Sequence, residues 1–204
     1  MGASGSKLLD SKMKVIGLTG GIGSGKSTLL KWFQEQGIPC FESDTVGKKL
    51  LETQLRDAVG TLFGGEIFDA DGHLNRSALA AIVFQDATAL AALNDLVHPA
   101  VVKAFEDFKK EHHNAPFVIN EAAILFETGG YKKCDFVILV KAPKEKRIQR
   151  IKARDGFGEA EILARMKNQW SDQKKEPLAD YVIENKTLED TFAQASTLIK
   201  ILKS

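Results

Sequence analysis

The sequence predicts an α/β fold in which helices cover both faces of a parallel central sheet, giving three layers. Short apolar runs alternate with segments of helical periodicity near both ends of the chain, and this alternation is typical of parallel strands joined by crossover helices. Between about 54 and 113 only helical spacing recurs. The length of 204 residues fits one compact domain that carries a smaller inserted unit.

The first elements are a strand, a glycine-rich turn, a helix and a second strand. The apolar run KVIGL at 14–18 ends at a cluster of glycines, and STLLKWFQEQG at 27–37 carries apolar residues at helical intervals until a glycine ends it. A short strand is predicted next, at 38–41. Ser43 is then a suitable N-cap for a helix that continues to Leu51.

The middle of the chain is predicted to be a helical insertion, after which the alternation resumes. Within the insertion, His98 precedes Pro99, which we expect to open a helix, and a lone histidine there is more often structural than catalytic. Beyond the insertion, strands are predicted at 116–120, 135–140 and 181–184. The accompanying helices are predicted at 143–154, about 159–170 and about 188–202.

The turn after the first strand carries a phosphate-binding motif. Gly20, Gly25, Lys26 and Ser27 fill the pattern GxxxxGK[ST], with the strand before it and the helix after it that the motif requires. Backbone amides of this loop would surround phosphate oxygens, Lys26 would reach the β- and γ-phosphates, and the Ser27 hydroxyl would bind Mg²⁺. A GTPase is disfavoured, because Leu188 stands where an NKxD guanine motif needs its aspartate.

Three acidic residues are candidates for the chemistry. Asp44 follows the second strand, at the sheet edge where open α/β folds bind ligands, so it could bind Mg²⁺ or accept a proton, or it could merely cap the next helix. Glu121 ends the third strand, where it could hold a metal-bound water, and Glu127 follows shortly after it. Either glutamate could instead be a solvated loop charge.

A basic helix follows the fourth strand. Arg147, Arg150 and Arg154 lie at i, i+3 and i+7, so they share one side of the helix, and glycines follow them. Beside a phosphate-binding loop, this pattern predicts a lid that brings arginines over the phosphates, rather than an ordinary solvated basic face. We expect Arg150 and Arg154 to become ordered only when nucleotide is bound, because exposed arginines at a glycine-flanked hinge have little else to hold them.

These assignments divide the chain into a core, an insertion and a lid. The core is predicted at 13–53, 114–142 and 177–204, the insertion at about 54–113 and the lid at about 143–176. The Gly- and Ser-rich residues 1–12 precede a second methionine, Met13, and we expect them to be a vector-derived remnant or, alternatively, a flexible arm.

Composition limits the partners and the compartment. With 28 Lys and Arg against 27 Asp and Glu, the net charge of +1 predicts no nucleic-acid partner and no membrane surface. Cys40 and Cys134 lack the close spacing of a redox or metal motif, so we expect both to be reduced and buried in a cytoplasmic protein. No prediction of oligomeric state follows.

The assembled motifs resemble the dephospho-coenzyme A kinase family. The segments that carry the resemblance extend from about Met13 almost to the C-terminus: LTGGIGSGKST, ESD after the second strand, LVHP, ILFETGGYKKCDFVILV, RIQRIKARDG and YVIEN. The resemblance implies a P-loop kinase fold with a helical substrate-binding insertion and a helical lid. It also implies an enzyme that uses ATP and Mg²⁺ to phosphorylate the ribose 3′-hydroxyl of dephospho-coenzyme A, the last step of coenzyme A synthesis.

The resemblance also assigns roles to individual residues. It implies catalytic roles for Asp44, Lys26 and Arg150, acceptor binding by Asp44, His98 and Glu127, and metal binding by Ser27 and Glu121. The implied nucleotide-binding residues are Gly23, Ser24, Gly25, Lys26, Ser27, Thr28, Arg154 and Asn185. Many family members have Asp-x-Pro-Leu-Leu-Phe-Glu where this chain reads EAAILFE, so Glu121 ranks below Asp44. The alternatives are a kinase for a nucleoside monophosphate or other small alcohol, and a non-catalytic nucleotide-binding switch.

Overall fold

The computed structural model describes residues 13–203, and the predicted remnant at 1–12 lies outside them. Within the described residues, the strands are β1 (Lys14–Thr19), β2 (Cys40–Glu42), β3 (Phe117–Glu121), β4 (Phe136–Lys141) and β5 (Tyr181–Glu184). The helices are α1 (Lys26–Glu35), α2 (Ser43–Glu52), α3 (Arg56–Phe63), α4 (Arg76–Gln85), α5 (Ala87–Glu111), α6 (Lys144–Asp155), α7 (Glu159–Lys167), α8 (Asp172–Lys175) and α9 (Leu188–Lys203).

The strands form one sheet with β1 at its centre. The order is β2-β3-β1-β4-β5, and β1 pairs in parallel with both β3 and β4, while β4 pairs in parallel with β5. In register, Leu18 of β1 lies opposite Glu121 of β3 and Ile138 of β4. The turn after β1 therefore lies where the chain connections diverge to the two sides of the sheet, the usual ligand-binding position in open α/β folds.

Alternation along β4 shows that both faces of the sheet are covered. Ile138 and Val140 belong to a buried cluster that includes α1 and α9 residues such as Phe33 and Leu198. Val137 and Leu139 belong to a second buried cluster with Leu125, Phe126 and, at its edge, Trp170. The predicted three-layer arrangement follows, because successive side chains of a strand point to opposite faces.

The chain divides into two compact units. The first comprises the described residues up to 40 together with those from 112 onward, and the second comprises 41–111. In the second unit, α2, α3, α4 and α5 pack on one another around a small apolar core. The buried members of this core are Val59, Ile67, Leu74, Leu79 and Val83.

Two local predictions in the second unit are wrong. Ser43 was expected to cap α2, but it is the first helical residue, and Glu42 occupies the N-cap position without a side-chain capping bond. Pro99 was expected to open a helix, but it lies inside α5. Proline removes the hydrogen bond to the carbonyl of Asp95, and its ring also crowds that carbonyl. Both residues are exposed, so water can solvate the carbonyl while packing against α2 and α4 keeps α5 continuous.

Two predictions in the first unit also need correction. The helix predicted at about 159–170 ends at Lys167, and a separate short helix begins after Ser171, whose hydroxyl accepts from the backbone N of Lys174. Neither Cys40 nor Cys134 is in a disulfide, as predicted, but both are half-buried instead of buried. Across residues 13–203, no helix combines the length and the apolar character needed to cross a membrane.

Candidate active site

The glycine-rich loop joins the end of β1 to the start of α1. Its conformation depends on residues without a β-carbon, since Gly23 and Gly25 have φ of 78° and 99°, in the left-handed region. A β-carbon at Gly25 would also collide with the side-chain amide of Asn185. No side chain caps α1 at Gly25, so the positive end of the helix is directed toward whatever the loop encloses.

Lys26, the first residue of α1, is held at the base of this loop. Its ammonium donates to the carbonyl of Gly20 at 2.9 Å and lies 3.8 Å from Oε1 of Glu121. Both side chains are about nine-tenths buried, because Glu121 ends β3 directly beside β1. The alternative that Glu121 is a solvated loop charge is therefore wrong. Ser27 and Thr28 follow as exposed residues of the first helical turn.

Arg150, on α6, contacts the backbone of the loop. One guanidinium nitrogen is 3.4 Å from the carbonyl oxygen of Gly23 and 3.3 Å from that of Ser24, and the other donates to Oδ1 of Asn185 at 3.1 Å. The premise that Arg150 has little to hold it is wrong, because carbonyls of the phosphate-binding loop accept its hydrogen bonds. The expectation that Arg150 becomes ordered only when nucleotide is bound stays a prediction.

The two neighbouring arginines on α6 differ from Arg150. Arg147 is largely buried and donates from Nε to the carbonyl of Ile22 at 2.9 Å. Burial lowers the pKa of its guanidinium, and the nearby Asp172 carboxylate offsets part of that effect. Arg154 is 61% exposed and pairs with Asp155 at 2.7 Å, a hydrogen bond that raises the pKa of Arg154 and lowers that of Asp155. Arg154 does not join the cluster at the loop.

Asn185 is buried behind the loop. Its side chain is 1% exposed and donates to the carbonyl of Ser24 at 2.8 Å. Its oxygen accepts from Arg150 and from the hydroxyl of Thr191 at 3.2 Å, and its backbone N donates to the carbonyl of Lys141 at 2.7 Å. The side chain thus supports the loop from within the protein, and the nucleotide-binding role that the family resemblance implies for Asn185 stays a prediction.

Glu127 is also enclosed by protein groups. Its Oε1 accepts from the backbone N of Trp170 at 2.8 Å and lies 2.9 Å from Nζ of Lys175, whose side chain is completely buried. The alternative that Glu127 is a solvated charge is therefore wrong. Sequence reasoning missed Lys175, because a lysine in the polar run SDQKKEP has no pattern that indicates burial.

The remaining predicted site residues belong to the second unit. Asp44 lies in the first turn of α2 and His98 near the middle of α5, and both are exposed. In the first unit, the structure brings together Lys26, Glu121 and Arg150 around the glycine-rich loop. These groups supply two cations, one buried carboxylate and a helix N-terminus, which is an arrangement suited to binding a polyphosphate.

Comparison with known proteins decides the family, because a family model described as dephospho-CoA kinase matches residues 14–190. The chain belongs to the dephospho-CoA kinase family. Among its relatives, the dephospho-CoA kinase of Salinibacter ruber is 37% identical over 191 residues, covering 91% of this chain and 96% of that one. The dephospho-CoA kinase of Helicobacter pylori is 39% identical over 196 residues, covering 92% and 96%.

Solved structures agree with the predicted fold. The crystal structure of TT1252 from Thermus thermophilus has a TM-score of 0.86 and 33% identity, covering 93% of this chain and 97% of that one. A shikimate kinase from Acinetobacter baumannii, at 15% identity and a TM-score of 0.53 over 94% of each chain, shares the fold alone. The family, the P-loop kinase fold and the phosphotransferase activity predicted from the sequence are confirmed.

Proposed function

We propose that this chain transfers the γ-phosphate of ATP to the ribose 3′-hydroxyl of dephospho-coenzyme A, the last step of coenzyme A biosynthesis, in the cytoplasm. The proposal is supported by two findings that concern the same part of the chain. The family model spans residues 14–190, and within that span Lys26 is held at the start of α1 beside the carboxylate that ends β3. The chain thus has the family's sequence and the charged groups that phosphoryl transfer needs.

On the nucleotide side, the loop amides and two cations act on the phosphates. Amides between Gly23 and Thr28 would bind the phosphate oxygens, apart from that of Ser24, which donates to the carbonyl of Gly21 at 3.0 Å. The Lys26 ammonium would move from the carbonyl of Gly20 to the β- and γ-phosphates. Arg150 stabilises the charge that develops on the transferring group. Its hydrogen bonds to loop carbonyls, at 3.3 and 3.4 Å, already place its charge beside the loop.

The available oxygen ligands suit Mg²⁺ that is shared with ATP. Among residues 13–203, no group of three or more His, Cys, Asp or Glu side chains could hold a metal ion by itself. The Ser27 hydroxyl is exposed in the first turn of α1, and the Glu121 carboxylate ends β3 beside Lys26. Mg²⁺ usually binds one or two protein oxygens together with substrate phosphates, so these residues fit. When bound, it neutralises charge on the phosphates.

On the acceptor side, Asp44 is the proposed general base. Its exposed position in the first turn of α2 leaves the carboxylate accessible to an acceptor hydroxyl, which it would deprotonate as that oxygen attacks the γ-phosphate. His98 is likewise exposed and is proposed to bind the acceptor. The same role for Glu127 has less support, because its Oε1 already contacts Trp170 and Lys175.

An ADP-release assay with a panel of acceptors tests the proposal. Dephospho-coenzyme A should be phosphorylated at least about 10³-fold more efficiently, by kcat/KM, than nucleoside monophosphates, because its extra contacts can lower the transition-state energy. Phosphorus NMR of the product should show a ribose 3′-phosphate. Comparable turnover of a nucleoside monophosphate, or a product phosphorylated elsewhere, would overturn the assignment.

A variant of Asp44 tests the catalytic base. Asp44→Asn keeps the side-chain shape but cannot accept a proton, so kcat should fall by ~10² to 10⁴ while the KM of the acceptor changes little. A role in metal binding would instead raise the Mg²⁺ requirement and would be partly rescued by excess metal. Turnover within a few-fold of the unmodified protein at ordinary Mg²⁺ would remove both roles.

A further inference from the structure

Both backbone polar groups of Ile22, in the middle of the phosphate-binding loop, are held by distant side chains. Its N–H donates to Oε1 of Gln169 at 2.8 Å, and its carbonyl accepts from Nε of Arg147 at 2.9 Å. The loop therefore has fixed contacts on both sides of Ile22. Hydrogen bonds of this length are well formed, and the guanidinium bond is strengthened by its charge.

The two side chains that hold Ile22 are connected through one short stretch, 169–175, which we call the strap. Gln169 lies at its start, and Asp172 lies in its middle, at the first turn of α8. Oδ2 of Asp172 is 3.4 Å from a guanidinium nitrogen of Arg147. The strap thus binds Ile22 directly through Gln169 and orients Arg147 through Asp172.

An ion pair anchors the strap to the core of the first unit. Glu127 accepts from the backbone N of Trp170 at 2.8 Å and pairs with Lys175 at 2.9 Å, so one carboxylate contacts both ends of the strap. Lys175 is completely buried. The desolvation energy of such a buried pair can exceed its attraction, and apolar residues of similar size often stabilise a fold equally well. The pair is therefore better explained by the position it imposes than by stability.

We propose that Gln169 is a positioning residue for nucleotide binding: with Arg147 it fixes Ile22, so that the amides that follow in the loop are preorganised for phosphate. The Glu127–Lys175 pair anchors the strap that carries Gln169. In this assignment the N–H of Ile22 is not a phosphate ligand, and Glu127 acts through the strap and not on the acceptor. The inference rests on the proposed binding of ATP at this loop, but not on the identity of the acceptor.

The physical reason is the flexibility of glycine. A loop with so many glycines loses much conformational entropy when it closes around phosphate, and that loss weakens binding. Contacts that fix the loop before nucleotide arrives remove part of the loss, which raises affinity without adding a contact to the nucleotide.

Nucleotide binding by variants tests the direct contact. Gln169→Met has a similar size but replaces the amide oxygen with a thioether sulfur, a much weaker acceptor for the Ile22 N–H. It should weaken binding of Mg²⁺–ADP, measured by calorimetry, by about tenfold. Asp135→Ala is the matched control. It removes a comparable bond, which the backbone N of Val15 donates to Oδ2 of Asp135 at 2.7 Å, at the start of β1 and away from the loop. The control should bind ADP within twofold of the unmodified protein.

Comparing the ADP affinities of the two variants decides whether the contact of Gln169 with the loop matters for nucleotide binding. An ADP affinity within twofold for Gln169→Met would overturn the proposal, and so would an equal loss in Asp135→Ala, since that would indicate a general effect of stability. Because ADP binding needs no acceptor, this result is independent of whether dephospho-coenzyme A is the substrate.

Hydrogen exchange of the unmodified protein tests the same contact without a variant. The amide of Ile22 should be protected by at least about tenfold in the absence of nucleotide, and protection should change little when ADP is added, because its partner is Gln169 in both states. Unprotected exchange before ADP, followed by protection after it, would show that phosphate is the partner and would refute the proposal.

The anchor is tested by a double-mutant cycle. Lys175→Met should weaken ADP binding several-fold, because the strap loses its attachment and Glu127 loses its cation. Combining it with Glu127→Gln removes the unpaired charge, so the double variant should recover thermal stability while ADP binding stays weakened. Full recovery of ADP affinity in the double variant, or no loss in the single one, would show that the pair is structural only.

Discussion

Replacing Asn185 by leucine should destabilise the protein and weaken nucleotide binding together. The side chain makes three hydrogen bonds: to the carbonyl of Ser24 at 2.8 Å, from Arg150 at 3.1 Å and from Thr191 at 3.2 Å. Leucine has a similar size but makes none of them. Asn185→Leu therefore isolates the polar contribution of a group that is 1% exposed.

The magnitude follows from what each partner retains. Ser24 still accepts from Arg150, and the Thr191 hydroxyl still donates to the carbonyl of Thr187 at 2.6 Å, so these two losses are about 1 and 0.5 kcal/mol. The bond from the charged Arg150 contributes about 1.5 kcal/mol. The sum is about 3 kcal/mol, which for a chain of this size corresponds to a decrease in Tm of about 6–12 °C.

Thermal unfolding and calorimetry of ADP binding measure the two effects. Thr191→Val is the control, because it removes only the hydroxyl and should lower Tm by about 2–4 °C. If Asn185→Leu lowers Tm no more than this control does, the hydrogen bonds of Asn185 stabilise the fold by less than the sum given above. If ADP affinity falls while Tm is unchanged, the side chain contacts the nucleotide, as the sequence predicted, and does not support the loop.

Three further outcomes are expected. Lys26→Ala should lower kcat by about 10³-fold, measured by ADP release, and a variant that keeps a tenth of the activity would contradict the role given to its ammonium. Gly25→Ala should abolish ADP binding in calorimetry, because φ of 99° is strained for alanine and its methyl would meet Asn185. Burial raises the pKa of Cys134 from 9.0 to about 11, so the stability that this thiol contributes is present below pH 9 and is lost between pH 9 and 11. Native Cys134 should accordingly react with iodoacetamide at pH 8 much more slowly than the unfolded chain, and equal rates would contradict its burial.

The sheet was largely predictable because its central strands, β1, β3 and β4, are buried on both faces. Such strands are continuous apolar runs bounded by polar or glycine residues. The strand predicted at 181–184 is β5 as observed, and the one predicted at 135–140 differs from β4 by one residue at each end. The position of Pro99 was not predictable from local sequence, because the continuity of α5 depends on packing against other helices of its unit.

The site was predictable where its chemistry is local in sequence. The motif from Gly20 to Ser27 predicts the phosphate-binding loop, because its glycines, lysine and serine have a fixed spacing and lie together in one turn. The contacts that hold this loop in place have no corresponding sequence motif. Gln169 and Ile22 are 147 residues apart, and a glutamine between two helices is unremarkable until the fold brings it to that amide.

The two arginines that contact the loop also differ in how many hydrogen bonds are lost when nucleotide binding moves them. Arg147 holds its carbonyl at 2.9 Å and is largely buried, so moving it would leave the carbonyl of Ile22 without this donor. One guanidinium nitrogen of Arg150 makes long bonds of 3.3 and 3.4 Å to two carbonyls, and the carbonyl of Ser24 keeps a bond from Asn185 when that nitrogen moves away. Exchanging the contacts of that one nitrogen for a phosphate oxygen costs little as long as the other nitrogen keeps its bond to Oδ1 of Asn185 at 3.1 Å. Arg150 is therefore the arginine suited to the transferring phosphate, and Arg147 is the one suited to holding the loop.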